Sequence, residues 1–157
     1  MSESATGAQR VLFVCLGNIC RSPTAHGILR EVTRAEGRAL RIDSAGTGNW
    51  HEGAAPDPRT RAAAHARGVD LSDLRARQIT AADFARFDLI LAMDESNRRD
   101  IERLRPAGAE TPVHLLLDYA PGSEREVPDP YLGGGFTEVF TLLETACRAL
   151  VDAMDRR

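Results

Sequence analysis

Residues 11–14, Val-Leu-Phe-Val, form an unbroken apolar run, short and β-branched at both ends. A run of that kind, with no polar alternation, fits a strand covered on both faces rather than one. It stops at Cys15-Leu16-Gly17-Asn18-Ile19-Cys20-Arg21, and Ser22-Pro23 then offers a capping hydroxyl followed by a proline at the first helical position. Ala25, Ile28, Leu29 and Val32 recur at helical spacing up to Gly37. A buried strand, a tight loop and a helix start therefore follow one another within the first quarter of the chain.

The same alternation continues. Leu40-Arg41-Ile42-Asp43-Ser44 alternates as a second strand and gives way to a Gly-rich loop at 45–51. Pro58 opens a helix to about Arg67 that Gly68 stops, and residues 80–84 form a further helical turn or two. Residues 87–93 read as the third strand, 94–104 as a helix, 113–117 as the fourth strand and 118–135 as a turn-rich stretch. Phe136, Val139, Phe140, Leu143, Cys147, Leu150 and Met154 then fall on one face of a last helix. Strands alternating with helices predict an α/β fold: an open four-stranded parallel sheet with helices on both faces, doubly wound and flavodoxin-like. Such folds hold ligands beyond the carboxyl ends of the strands, where strand order reverses. The chemistry is therefore sought in the loops at 15–22, 45–56 and 118–135. Residues 1–9, small and polar, read as a frayed tail ahead of a single domain at 10–157.

Composition narrows the function. The chain has 157 residues, 43% of them hydrophobic and 27% charged, which suits one domain with a proper core. With 20 basic and 23 acidic side chains it lacks the basic excess of a nucleic-acid surface. No apolar run approaches a membrane span, and the first residues lack the order of a signal peptide. The expectation is a soluble cytoplasmic protein, a monomer or weak dimer, with no membrane or nucleic-acid partner. All the basic residues are arginine, which reflects genome bias more than design. Three cysteines do not make a disulfide framework and are expected as thiols.

Five residues separate Cys15 from Arg21. On its own that spacing is weak, but here a buried strand leads in, Gly17 permits a tight reversal and a helix start leads out. Curled around a tetrahedral anion, such a segment points its backbone N–H groups inward, and the helix N-terminus adds partial positive charge. Arg21 can grip two oxygens in one plane. An electropositive nest of this kind favours thiolate over thiol at Cys15, and Ser22 can donate to the same sulfur. The bland alternative is a cysteine packed at a strand end. A thiolate attacking a phosphate ester still needs a proton for the departing oxygen, and Asp129, stiffened between Pro128 and Pro130, is the candidate donor.

Residues 14–23, Val-Cys-Leu-Gly-Asn-Ile-Cys-Arg-Ser-Pro, resemble the active-site signature of the low-molecular-weight protein tyrosine phosphatases. The resemblance continues through Asp43-Ser44-Ala45-Gly46-Thr47, Trp50-His51, Pro56-Asp57-Pro58-Arg59, Phe87-Asp88, residues 93–97 and Asp129-Pro130-Tyr131. It implies a cytoplasmic hydrolase that needs no cofactor or metal and acts on tyrosine-phosphorylated proteins, a tyrosine kinase among them, through a phosphocysteine. By position it implies Cys15 as nucleophile, Arg21 as phosphate clamp and Asp129 as general acid and then base. Leu16, Gly17, Asn18, Ile19, Cys20 and Ser22 would surround the phosphate, with Ser22 steadying the thiolate and Asn18 shaping the loop through Ser44. Trp50 and Tyr131 would wall a slot for an aromatic ring. Cys20 would be near enough to trap oxidised Cys15 as a disulfide.

The chain departs from the family pattern at three places. Leu132 stands where many members carry a second tyrosine, Leu74 where a histidine is common, and His26 where glutamate is frequent. Leu74 would remove a hydrogen-bonding partner behind the loop. Cys147 reads as core, His65 as a helix-face residue, His114 as a strand residue and His51 as a rim contact, with no metal spacing among them. Three rival functions share parts of this pattern. A thiol-dependent arsenate reductase needs a relay of resolving cysteines, and only Cys20 and Cys147 remain. A phosphoarginine phosphatase is disfavoured by Ile19, bulky where that subgroup tends to have Thr. A phosphocarrier would have no use for the acid at Asp129.

Overall fold

The structure, a computed structural model, describes residues 7–155. Its elements are β1 (Arg10–Cys15), α1 (Arg21–Ala35), β2 (Arg41–Gly46), α2 (Pro58–His65), α3 (Asp83–Arg86), β3 (Leu89–Ala92), α4 (Glu95–Glu102), β4 (Val113–Leu115), a 3-10 turn (Leu116–Asp118), α5 (Pro130–Gly133) and α6 (Phe136–Asp155). The four strands form one parallel sheet in the order β2-β1-β3-β4. The chain thus steps out from β1 to β2, then back across β1 to β3 and β4. That reversal falls at the carboxyl end of β1, where Cys15 ends the strand.

Successive strand residues point to opposite faces, and here both faces are covered. Val11, Phe13 and Cys15 join a layer with α1 and α6, while Leu12 and Val14 join Phe84, Phe87 and Ile101 on the other side. This explains why β1 shows no polar alternation. The stripe on α6 packs against α1 and buries Val139, Phe140, Leu143, Cys147, Leu150 and Met154, with Phe136 half-buried at its end.

Several boundaries differ from the sequence expectation. β2 runs on through Ala45 and Gly46 and grows steadily more buried instead of alternating. Its far end is gripped by residues 77–79: Gly46 donates to the Arg77 carbonyl at 2.8 Å, and Ile79 donates back to the Gly46 carbonyl at 2.8 Å. β3 and β4 are shorter than predicted, and Leu116 and Leu117 turn into the core as a 3-10 turn. The turn-rich stretch holds a helix, α5, nucleated by Asp129 as its cap and Pro130 at its start. Residues 1–6 of the expected tail lie outside the described residues. Residues 7–9 are tied down rather than frayed: Gly7 donates to the Met154 carbonyl at 3.3 Å, Ala8 is buried, and Gln9 donates to Asp88 at 3.0 Å.

Candidate active site

Cys15 lies at the end of β1, 2% exposed. The loop after it reverses at Asn18, which takes a left-handed φ of 59° that asparagine tolerates better than most residues. The reversal brings the Asn18 N–H to 3.3 Å from Cys15 Sγ and the Ser22 N–H to 3.5 Å. Ser22 Oγ stands 3.0 Å from the same sulfur and accepts from Asn18 Nδ2 at 2.7 Å. An ionised sulfur only accepts, so toward it Ser22 is the donor. Ser22 was expected to cap α1. It does not, because its hydroxyl is committed to the sulfur side of the loop; α1 begins at Arg21, and its cap residue, Cys20, makes no side-chain cap bond.

Asn18 is not bonded to Ser44, as the resemblance implied. Its Oδ1 accepts from the Arg77 N–H at 3.0 Å, while Ser44 Oγ pairs with His26 Nδ1 at 3.3 Å. Residues 77–79 lie beside the end of β2, which places the Arg77 N–H against Asn18. Burial, reinforced by the nearby Arg30 charge and opposed by Asp43 and Asp73, pushes the His26 imidazole down to about 4. Beyond β2, Thr47 donates to the Cys15 carbonyl and Gly48 to the Leu16 carbonyl, both at 2.9 Å. Gly46 admits no side chain here, since a Cβ would stand 2.7 Å from the Leu16 carbonyl oxygen.

Arg21 is 2% exposed. Its Nη1 donates to Asp94 Oδ2 at 2.7 Å and to the Val127 carbonyl at 3.0 Å, and its Nη2 lies 3.6 Å from Asp129 Oδ2. Asp94 divides its oxygens, because Oδ1 caps α4 by accepting from the Asn97 N–H at 2.7 Å. Burial works against the guanidinium charge and is the largest single effect on it, yet Cys15, Asp94 and Asp129 together hold its pKa above the ordinary arginine value. Asp129 is the exposed member, with a side chain 44% accessible and Oδ1 accepting from the Tyr131 N–H at 3.1 Å.

Cys15, Leu16, Gly17, Ile19, Cys20, Arg21, Trp50, His51, Asp129 and Tyr131 line one pocket. All the predicted site residues are therefore brought together, with Asn18 and Ser22 beneath the floor, against the sulfur. Trp50, 69% exposed, and Tyr131, 41% exposed, are walls and not core. The indole ring occupies the space a Gly48 side chain would need. His51 reaches the rim as expected, its ring 6.0 Å from that of Tyr131. Cys20 is buried, and burial pushes its thiol up to about 11. Cys147 sits in the core, where burial raises its thiol strongly and its Sγ contacts the Ala25 carbonyl at 3.7 Å.

Asp94, Asp57 and Arg59 had no site role assigned from sequence. Asp94 stood in sequence only as the first residue of the helix at 94–104; in the structure it caps α4, and its other partner, Arg21, lies 73 positions away. Asp57 caps α2 and binds Arg59, whose side-chain hydrogen bond is the main cause holding the Asp57 carboxyl below the usual carboxylate range. Among the described residues no group of three or more His, Cys, Asp or Glu side chains is placed to hold a metal ion, and no helix is long and apolar enough to cross a membrane.

A family model described as low molecular weight phosphotyrosine protein phosphatase matches residues 10–157. The low molecular weight phosphotyrosine protein phosphatase of Schizosaccharomyces pombe is 49% identical over 140 residues, which cover 85% of this chain and 89% of that protein. Among solved structures, a protein tyrosine phosphatase from Entamoeba histolytica with Hepes in the active site superposes with a TM-score of 0.86 at 38% identity, covering 92% of this chain and 95% of that one. A Drosophila arginine phosphatase also superposes, with a TM-score of 0.85 at 31% identity, covering 90% and 95%.

Proposed function

The chain belongs to the low molecular weight phosphotyrosine protein phosphatases, and from that membership we propose the part each residue of its site plays. It is a protein-tyrosine phosphatase, a hydrolase whose substrates are tyrosine-phosphorylated proteins. The observation that carries the residue assignments is the convergence of two N–H groups and one hydroxyl on Cys15 Sγ, within 3.0 to 3.5 Å, at the foot of a pocket lined by Arg21 and Asp129.

Substrate phosphate enters above Cys15, inside the loop of residues 16–21. Arg21, fixed by Asp94 through Nη1, uses its remaining donors to grip two phosphate oxygens. The Cys15 thiolate attacks phosphorus in line with the tyrosyl oxygen. As the sulfur–phosphorus bond forms, the phosphorus–oxygen bond breaks, and the departing oxygen takes the Asp129 proton. Water, losing a proton to the same Asp129, then attacks the phosphocysteine and releases inorganic phosphate and the thiolate. The anionic transition states are met by donors already in place, which is where most of the rate comes from. Ser22 and the Asn18 N–H stabilise sulfur when it attacks and again when it leaves.

Trp50 and Tyr131 wall the entrance, with Leu16 and Ile19 lining the slot beneath. A flat, long aryl ester reaches the sulfur through such a slot and a short seryl ester does not. Ile19 supports phosphotyrosine over phosphoarginine, the chemistry named for the Drosophila neighbour. We assign the enzyme to the cytoplasm, acting as a monomer or weak dimer, with a tyrosine kinase as one substrate; a Cys15→Ser pull-down identifies what it holds.

Matched phosphotyrosyl and phosphoseryl peptides test this reading. A preference of at least about 100-fold in kcat/KM for the tyrosyl peptide, unmoved by EDTA, supports it. Equal rates on the two, or loss of activity with chelator, would refute it.

A further inference from the structure

Arg59 lies outside the pocket lining and takes no part in the steps above. Its side chain is half exposed at the start of α2. Nε and Nη2 hold both oxygens of Asp57, at 3.1 and 3.0 Å, and Nη2 also donates to the Tyr131 carbonyl at 3.1 Å. The guanidinium sits 4.7 Å from the centre of the Phe136 ring and 5.7 Å from that of Tyr131. On one side, Asp57 is buried and its N–H donates to the Ile19 carbonyl, in the phosphate loop, at 2.9 Å. On the other, the Tyr131 N–H donates to Asp129 Oδ1 at 3.1 Å. A continuous chain of contacts therefore runs from Ile19 through Asp57, Arg59 and Tyr131 to Asp129.

We propose that Arg59 is a positioning residue for the general acid, a tie that fixes the Asp129 loop against the phosphate loop. The inference rests on Asp129 being the acid. The need for such a tie is plain from the acid's surroundings. Asp129 caps a helix of four residues that ends at Gly133 and is followed by Gly134 and Gly135, and its contact with Arg21 is long at 3.6 Å. An exposed ion pair adds little to overall stability. Placement of a catalytic group is far less forgiving, since an error of about 1 Å can cost about 100-fold in rate. Loss of Arg59 is therefore read in the acid's function and not in the melting temperature. Lysine is a poor replacement because it cannot hold a carboxylate with two nitrogens while donating to a carbonyl.

The test is kcat/KM across aryl phosphates from p-nitrophenyl phosphate, whose leaving group needs little protonation, to phenyl phosphate, whose leaving group needs much. These small esters have no flanking residues, so a role for Arg59 in gripping a peptide would leave no trace. Arg59→Met is expected to slow phenyl phosphate about 10-fold more than p-nitrophenyl phosphate, with Arg59→Lys between it and the parent. In an Asp129→Asn background, Arg59→Met should add no further leaving-group dependence. A uniform drop across all esters, or full additivity with Asp129→Asn, would overturn the tie while leaving the acid intact. If Asp129→Asn itself failed to steepen the dependence, the acid assignment would fall and take the tie with it.

Discussion

Asn18 Nδ2 donates to Ser22 Oγ at 2.7 Å, so the hydroxyl proton is directed to Cys15 Sγ, 3.0 Å away, with the Ala45 carbonyl a longer acceptor at 3.4 Å. The value of that proton is greatest whenever the sulfur is negative, both as it attacks and as it departs from phosphorus. Ser22→Ala is expected to slow phosphocysteine breakdown by about 10- to 100-fold, read by single-turnover kinetics. A breakdown rate equal to the parent's would mean the hydroxyl serves only the loop's shape. Asp94→Ala should act through Arg21: it removes the 2.7 Å partner of a buried guanidinium, so the clamp loses its anchor and kcat/KM is expected to fall about 100-fold. Steady-state kinetics on an aryl phosphate check this, and an unimpaired enzyme would show that the Val127 carbonyl suffices. Cys15, Arg21 and Asp129 were legible in sequence because each sits at a junction with its own local mark: a strand end, a helix start, a proline-flanked turn. Asp94 and Arg59 carried local marks of another kind. Each stands at or beside a helix start, and the partner that gives it a place in the site, Arg21 or the Tyr131 carbonyl, lies about seventy positions away.

The phosphate loop is an insertion between three elements, and β2 decides its shape as much as β1 does. Gly46 lies against the loop's own backbone, with the Leu16 carbonyl oxygen where a Cβ would go. Backbone cannot yield as a flexible side chain can. Gly46→Ala is expected to cost about 1–3 kcal/mol in urea unfolding and to lower kcat/KM by about 100-fold. A variant that kept full activity would show that the loop adjusts freely. Sequence periodicity read α1 and α6 well, because each buries a face with a regular repeat, and β1 was readable from its unbroken apolar run, which is covered on both faces. It ended β2 too early because Ala45 and Gly46 look like loop residues; they are strand residues through their parallel pairing with Val14 and Cys15 of β1, about thirty positions back, and Gly46 is held on its other edge by residues 77–79. α5 escaped for a related reason. Four residues carry no periodicity, and only the capping geometry of Asp129 marks the turn as helical.

For the molecule as a whole, the sheet places its one topological reversal at Cys15, so the core and the chemistry share β1. Behind the loop, the buried His26 couples folding to pH. Its imidazole sits at about 4, below the ordinary 6.5, so between these values the unfolded chain binds the extra proton. The stabilisation is complete above pH 6.5 and is lost as pH falls through 4, amounting to about 3 kcal/mol. Urea unfolding at pH 7 and pH 4 should show that loss, and His26→Gln should flatten it; an equal loss in the variant would assign the pH dependence elsewhere. Catalysis through Cys15 requires phosphate to reside covalently on its sulfur during turnover. The direct measurement is rapid acid quench during turnover of a labelled aryl phosphate, followed by peptide mapping. If Cys15 is the nucleophile, a burst of one phosphate per chain is expected, on Cys15 alone, absent in Cys15→Ser. Turnover without a burst, or label on any other residue, would contradict it.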